Sequence, residues 1–361
     1  MSATNGDVFN DLFVLEMANN HWGKLDRGLK IINDYGKIVR DNGVHAAIKL
    51  QIRDVDSFIH KDYLDSDMRY IKKTLATKMS FDDYATLVEQ IKRVGCIPMA
   101  TAFDEKSVDV CIKLGLKALK IASSDLDDWV LIEKMAKAGL PVSVSTGGSN
   151  VKQIDEVVEF FENKNIPLAI NHCVSIYPTE NKDLNLNQID YLKTRYPGHV
   201  IGLSTHELNK DLQSSVFVAY SKGARTIERH IDIDYEKVPI SPYCSLPEDV
   251  DSMFKAYLMA KEKCGKPGDS KIIPPRCEIE YLDALVRGVY AKTDLHKGDV
   301  LTEDNTYLAI PLHKGQISCR EIKYGEKVKN DVNKDSSVTL DSIETGHYDS
   351  ERIELIKNRG L

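Results

Sequence analysis

Short apolar runs rich in β-branched residues recur along the chain, and stretches with helical spacing of apolar residues lie between them. The runs have the length and composition of buried strands: Leu12–Met17, Ala46–Gln51, Ile97–Thr101, Ala118–Ala122, Val142–Ser145, Leu168–Cys173, Val200–Ser204 and Thr226–Ile231. Residues 81–94 and 151–162 carry apolar side chains three or four positions apart, as helices that pack on a sheet do. Eight such βα units predict an α/β protein with a closed (β/α)8 TIM barrel, because a doubly wound sheet usually has fewer strands.

The regular alternation ends after Ile231. A long loop and one more helical stretch, 250–263, follow, and then glycines and prolines interrupt every pattern from 265 to 275. Short strand-like runs separated by turn signals return from about Val286. We therefore predict a barrel domain over residues 1–270, a linker over 271–285, and a small β-rich domain with a C-terminal tail over 286–361.

Composition narrows the possible partners and location. A formal net charge of −7 provides no basic surface for nucleic acid or an anionic membrane. The chain has no apolar run of the roughly 18 residues that a membrane span needs, and its start lacks the pattern of a signal peptide. The seven cysteines include no C-x-x-C pair and are expected to be reduced thiols. These features predict a cytoplasmic protein that binds neither nucleic acid nor membrane.

Polar side chains cluster at the ends of the predicted strands, where TIM barrels carry their catalytic groups. They are Glu16, Lys49, Gln51, Thr101, Lys120, Ser123, Ser124, Ser145, Thr146, His172, Ser175, His206, Glu228 and His230. Because alternate residues of a strand share one face, Lys49 with Gln51, and Glu228 with His230, are expected to point into the barrel together.

Lys49 and Lys120 follow the second and fourth strands and would face each other across a pocket. Two ammonium groups suit a small phosphorylated carboxylate, and the run Ser145-Thr146-Gly147-Gly148 adds hydroxyl and backbone N–H groups for a phosphate. The alternative is that the lysines extend to solvent and that the glycine pair only begins a helix.

His206 and His230 end neighbouring strands, so their imidazoles could share one divalent cation, with Glu16 or another carboxylate nearby. Such an oxygen-rich site with few histidines favours Mn²⁺ or Mg²⁺ over a closed zinc site. The alternative is that both histidines are hydrogen-bonded core or surface residues without a metal.

Six ordered motifs resemble those of sialic acid synthases, and the similarity extends over nearly the whole chain. They are residues 16–23 (EMANNHWG), 48–51 (IKLQ), 120–123 (KIAS), 145–148 (STGG), 172–178 (HCVSIYP) and 228–230 (ERH). Residues 291–302 (AKTDLHKGDVLT) are similar to the antifreeze-like (SAF) domain that these synthases carry after the barrel.

The resemblance implies condensation of phosphoenolpyruvate with a sugar aldehyde to a 2-keto-3-deoxy, nonulosonic sugar acid and phosphate. It implies that the catalytic residues are Glu16, as the acid, and the metal-binding pair His206 and His230. The implied phosphoenolpyruvate pocket comprises Lys49, Thr101, Lys120, Ser123, Ser145, Ser175 and Tyr177, and we place Gln51 beside Lys49 in it. In the family an arginine of the C-terminal domain reaches the partner's site, which implies a domain-swapped homodimer.

The chain departs from the family at two places that contact the acceptor sugar. The family's Gly-Pro-Asp stretch after the eighth strand is replaced by Pro239, Ile240 and Ser241, and the arginine of its Arg-Pro pair is replaced by Ile310. A site without these polar groups has little means of favouring N-acetylmannosamine. We therefore expect that sugar to be a poor acceptor.

Two other functions are compatible with the residues. A metal-dependent aldolase or lyase could use the same histidines and lysines on the same barrel. A non-catalytic sugar-acid sensor could keep the barrel for binding alone, although binding does not require the full set of Glu16, two lysines and two histidines.

Overall fold

The structure is a computed structural model that describes residues 8–266, 268, 270–344, 346 and 348–361. The chain divides into two compact units, residues 1–266 and 267–361. Each unit is described by itself.

Eight parallel strands form a closed barrel in the first unit, in the order in which they occur along the chain. They are β1 (Leu12–Ala18), β2 (His45–Ile52), β3 (Ile97–Ala102), β4 (Ala118–Ile121), β5 (Val142–Ser145), β6 (Leu168–Cys173), β7 (Val200–Thr205) and β8 (Thr226–His230). The barrel closes where β1 pairs with β8, with Glu16 opposite His230. The predicted TIM barrel is confirmed, and every predicted strand lies within one residue of the observed bounds.

Helices surround the barrel and cover its outer face. They are α1 (Leu25–Asn42), α2 (Val55–Phe58), α3 (Arg69–Ala76), α4 (Phe81–Arg93), α5 (Glu105–Lys113), α6 (Trp129–Ala138), α7 (Val151–Asn163), α8 (Gln188–Arg195), α9 (Asn209–Lys222) and α10 (Pro247–Cys264). Two of them, α2 and α3, lie in the long connection between β2 and β3, before the helix α4 that completes this βα unit. Among the described residues, no helix is long and apolar enough to span a membrane.

Alternation along the strands separates two cores. Outward residues such as Phe13, Leu15 and Ile48 pack with the surrounding helices in one large apolar cluster. The intervening residues face the barrel axis and form a second cluster at its amino-terminal end, made of Phe9, Leu12, Val14, Ala47, Met99, Ala118 and Ala169. Further along the same inward rows the side chains become polar, as with Glu16 after Val14 and Lys49 after Ala47. The barrel therefore has an apolar floor and a polar mouth.

The loop after β8 is anchored to α1 by buried polar contacts. Arg27 Nη2 donates to Asp232 Oδ1 at 2.6 Å and to the Ile233 carbonyl at 3.0 Å. The Tyr35 hydroxyl donates to the carbonyls of Asp232 and Ser245 at 2.7 and 2.6 Å. Both Arg27 and Tyr35 are fully buried, so these contacts fix the start of the loop that follows the last strand.

The second unit contains helix α11 (Arg276–Asp283), strands β9 (Gly288–Ala291) and β10 (Thr306–Ala309), and helix α12 (Ser350–Asn358). The two strands pair antiparallel, and isolated bridges such as Leu295 to Val332 connect the remaining extended segments. Its own apolar cluster includes Val289, Leu301 and Ile317. Helix α11 occupies part of the segment 271–285 that the sequence predicted to be a linker.

Phe9 is the largest side chain of the apolar floor and is fully buried. We expect Phe9→Ala to lower the free energy of unfolding by about 3–5 kcal/mol, because it removes buried apolar contacts and leaves a cavity under the barrel. Phe81→Ala is the matched control, since Phe81 is 38% exposed. Denaturant unfolding of both variants measures the difference, and equal stabilities would contradict the role of Phe9.

Candidate active site

A cavity of about 750 Å³ opens at the carboxyl end of the strands. It is lined by all the site residues that the sequence predicted: Glu16, Lys49, Gln51, Thr101, Lys120, Ser123, Ser145, Ser175, Tyr177, His206 and His230. Every one of the eight strands, or the loop that directly follows it, contributes at least one of them. The strand order thus brings together residues that lie up to 214 positions apart.

Four charged side chains alternate in sign inside the barrel mouth. The Lys49 ammonium contacts the Glu16 carboxylate and lies 3.8 Å from Glu228 Oε1. The Lys120 ammonium lies 3.2 Å from Glu228 Oε2. All four are buried, and we call this arrangement the charge ladder, Glu16–Lys49–Glu228–Lys120. Two carboxylates balance two ammonium groups where water is largely excluded.

Two neutral hydroxyl groups form hydrogen bonds with members of the charge ladder. Lys49 Nζ donates to Thr101 Oγ1 at 2.8 Å, and Ser204 Oγ donates to Glu228 Oε1 at 3.1 Å. Burial lowers the pKa of Lys49 to about 8, although the Glu228 carboxylate acts to raise it. Burial alone would raise the pKa of Glu228, but the Lys120 and Lys49 charges outweigh it and hold that pKa well below its usual range. Glu228 is therefore an anion that holds both lysines in place.

Hydroxyl groups at the ends of β4, β5 and β6 line the same cavity as Lys120. The Gly147 N–H donates to Ser123 Oγ at 3.1 Å, and a Cβ at Gly147 would lie 2.2 Å from Ser175 Oγ. Only glycine leaves room for these hydroxyls to converge. Within the described part of the chain, the buried Ser145 Oγ has no hydrogen-bond partner, whereas Lys120 Nζ lies 3.2 Å from Glu228 Oε2. The Ser145 hydroxyl is therefore available as a donor to an anion.

His206 and His230 lie next to each other, with ring centroids 5.4 Å apart. His206 Nδ1 lies 3.1 Å from the Val174 carbonyl, which fixes the tautomer with the proton on Nδ1 and leaves Nε2 as an acceptor. Burial lowers the pKa of His206 to about 4 and that of His230 well below its usual value. Both rings are neutral near pH 7, which is the form that binds metals. The Tyr177 ring packs against His206 at 4.2 Å.

The histidine pair fits an open cation site, because it offers two neutral nitrogen donors with room in the cavity beside them. The structure does not bring Glu16 into this donor set, since its carboxylate contacts Lys49. Throughout the described residues, no three His, Cys, Asp or Glu side chains are grouped as metal ligands. A cation at this pair would need oxygen ligands from water or substrate.

Two strand-end residues that the sequence singled out face away from this cavity. His172 Nε2 lies 2.7 Å from the Leu184 carbonyl, and the Thr146 hydroxyl donates to the Asn171 carbonyl. Both line a separate cleft next to α8. Strand alternation accounts for His172, because it follows Asn171, which points inward.

Sequence reasoning missed three cations of the cavity: Arg53, Arg69 and Lys73. They lie in the connection between β2 and α4, which has no simple apolar period. The signal that could have found Arg53 is strand alternation, because Lys49, Gln51 and Arg53 are successive alternate residues. The role of Glu228 as the common partner of both lysines was also missed, since it depends on contacts across the barrel.

Comparison with known proteins adds relatives that extend over the same length of chain. The NeuB family profile matches residues 39–268. The solved structure described as spore coat polysaccharide biosynthesis protein E of Chromobacterium violaceum is 33% identical, with a TM-score of 0.85 over 92% of this chain and 99% of that one. N-acetylneuraminate-9-phosphate synthase of Drosophila melanogaster is 28% identical over 81% of this chain and 79% of the relative.

Pseudaminic acid synthase of Campylobacter jejuni is 27% identical over 91% of this chain and 98% of the relative. These similarities include the barrel and agree with the resemblance to sialic acid synthases that the six motifs carry. The chain is therefore an enzyme that belongs to the NeuB family.

Proposed function

We propose that this enzyme condenses phosphoenolpyruvate with a sugar aldehyde, giving a 2-keto-3-deoxy sugar acid of the nonulosonic type and inorganic phosphate. The names of the relatives support this reaction class, since they are synthases of sugar acids. Those names denote different products, so the relatives leave the acceptor of this chain open. The cofactor in this proposal is Mn²⁺ or Mg²⁺ bound by the histidine pair.

The observation that carries the proposal is the place of the charge ladder between two other groups. On one side, Lys120 lines the cavity together with the hydroxyls of Ser123, Ser145 and Ser175, a set of groups that suits a phosphate ester. On the other side, Glu16 is the register partner of His230, so an acid lies next to the histidine pair. A phosphorylated enol and an aldehyde can therefore bind in one cavity in contact with each other.

Glu16 and the two lysines each have a role in the bond changes of the proposed condensation. Carbon 3 of phosphoenolpyruvate attacks the aldehyde carbon, and the Glu16 carboxylate passes to the aldehyde oxygen the proton that water gives up in the next step, so that this oxygen becomes a hydroxyl. Water then adds to carbon 2, which carries positive charge, and loses a proton. Cleavage of the bond between carbon 2 and the phosphate oxygen releases inorganic phosphate and leaves the ketone. Lys49 and Lys120 neutralise the carboxylate and phosphate throughout.

The cation, when bound, would polarise the aldehyde carbonyl as a Lewis acid. Neighbouring protein residues hold the His206 ring in position. The Val174 carbonyl fixes the His206 ring, and Tyr177 packs on that ring.

The aldolase alternative makes a different demand on the lysines. A Schiff-base aldolase needs one lysine free of its proton and able to attack a carbonyl. Both lysines of the ladder instead have carboxylate partners within 4 Å that hold their ammonium groups in place. Borohydride with pyruvate would trap an aldolase covalently, whereas release of phosphate from phosphoenolpyruvate in the presence of sugars identifies the synthase. A sugar-acid sensor would give neither result.

We expect Lys120→Ala and Lys49→Ala to raise the KM for phosphoenolpyruvate more than tenfold. Each removes a charge-assisted contact worth about 1.5–3 kcal/mol. Lys117→Ala is the control, because Lys117 is exposed just before β4. Steady-state phosphate release with both substrates varied measures the effect. An unchanged KM for phosphoenolpyruvate would remove the lysines from its pocket.

Chelation is expected to abolish turnover, and Mn²⁺ or Mg²⁺ to restore it. His206→Ala and His230→Ala should each reduce bound manganese, measured by metal analysis after dialysis, and activity by at least a hundredfold. His45→Ala serves as control, since His45 is exposed at the opposite end of β2. Full activity in chelator, or in the double variant, contradicts a metal-dependent reaction.

We further propose a domain-swapped homodimer, supported by the resemblance of residues 291–302 to the antifreeze-like domain. Light scattering after gel filtration should give twice the mass of the chain. The second unit would act in the acceptor site, so removing residues 286–361 should raise the KM for the acceptor more than that for phosphoenolpyruvate. A monomer with full activity would exclude this arrangement.

A further inference from the structure

Three cations line the cavity without belonging to the charge ladder: Arg53, Arg69 and Lys73. Arg53 lies one residue beyond the end of β2, and Arg69 and Lys73 are on α3 in the same connection. Residues four apart on a helix are neighbours on one face, so Arg69 and Lys73 lie side by side. In the described part of the chain, none of the three forms an ion pair.

Arg53 is held as a fixed cation. Its guanidinium carbon lies 3.6 Å from the centroid of the Phe103 ring and 5.7 Å from that of Phe58. Its Nη1 donates to Gln51 Oε1 at 3.2 Å. Stacking on a ring orients the planar group and leaves its other N–H donors free for a bidentate anion. Burial acts to lower the pKa of Arg53, so the charged form gains from a bound anion.

The strand order separates these cations from the hydroxyls proposed to bind phosphate. Those hydroxyls follow β4, β5 and β6, while Arg53 and α3 follow β2, across the closed barrel from β6. The histidine pair ends β7 and β8, and Glu16 is on β1 between them and β2. An acceptor with its aldehyde at the histidines can therefore extend past β1 toward Arg53.

We propose that the acceptor sugar carries an anionic group, a phosphate ester or a carboxylate, remote from its aldehyde, and that Arg53, Arg69 and Lys73 bind that group. This inference rests on the proposed condensation and adds the class of acceptor. It explains why three cations surround a cavity whose inner lysines already have carboxylate partners.

The test compares three acceptors with phosphoenolpyruvate and Mn²⁺: N-acetylmannosamine, its 6-phosphate, and a hexuronic acid with a free aldehyde. The 6-phosphate or the uronic acid should exceed the neutral sugar at least tenfold in kcat/KM, and the better of these two identifies the anionic group. Phosphate release with none of a broad panel of aldoses would contradict the condensation itself. Release with neutral sugars as effective as the anionic ones would overturn this inference alone.

Arg53→Gln should raise the KM for the anionic acceptor at least tenfold and leave the KM for phosphoenolpyruvate within about twofold. Arg53→Lys keeps the charge and should recover part of the loss. Lys72→Gln is the matched control, because Lys72 is exposed on the same helix and pairs with Asp67. If Arg53→Gln does not fold, Lys73→Gln on the helix surface provides the same comparison. A raised KM for phosphoenolpyruvate, with no change for the acceptor, would overturn the assignment.

Discussion

Four ionised side chains inside a barrel must be compensated by one another, and this requirement governs the site. Removing a carboxylate or an ammonium group from water costs several kcal/mol, and an unpaired partner left behind destabilises a protein by about 3–5 kcal/mol. Glu228 is central, because it lies within 4 Å of both Lys49 and Lys120. Its position depends on the register of β8 with β1 and β7. The register of β8 therefore also determines whether the charges of the site are balanced.

The neutral imidazoles follow from this constraint. Burial lowers the pKa of His230 most, because it removes the water that would stabilise a further charge, and the Lys49 ammonium lowers that pKa further while the Glu228 carboxylate acts to raise it. Burial and the lysine charge thus favour unprotonated rings. Because the two carboxylates and two ammonium groups of the ladder balance each other, the neutral histidines can offer a site for a cation close to the lysines.

Much of the barrel was predictable because the sequence shows the alternation of strands and the three-to-four spacing of apolar residues in helices. Alternate inward residues change from apolar to polar along each strand, and Val14 followed by Glu16 or Ala47 followed by Lys49 shows the change directly. The same alternation identified the site residues. Contacts between distant strands, such as Lys120 with Glu228, were not predictable, because they depend on how the barrel closes. Arg53 was missed because it lies just beyond the predicted end of the second strand, α3 because it has only 8 residues, and α11 because two prolines directly precede it.

The anchoring of the last loop by α1 has a consequence for synthesis of the chain. Arg27 and Asp232 are 205 residues apart, so Arg27 emerges from the ribosome long before its partner exists. At about 5–20 residues per second, the delay is roughly 10–40 s. During that interval Lys49 and Lys120 also lack Glu228, which arrives with β8. The nascent chain must keep these groups in water, so the enzyme's interior becomes dry only when the final strand closes the ring.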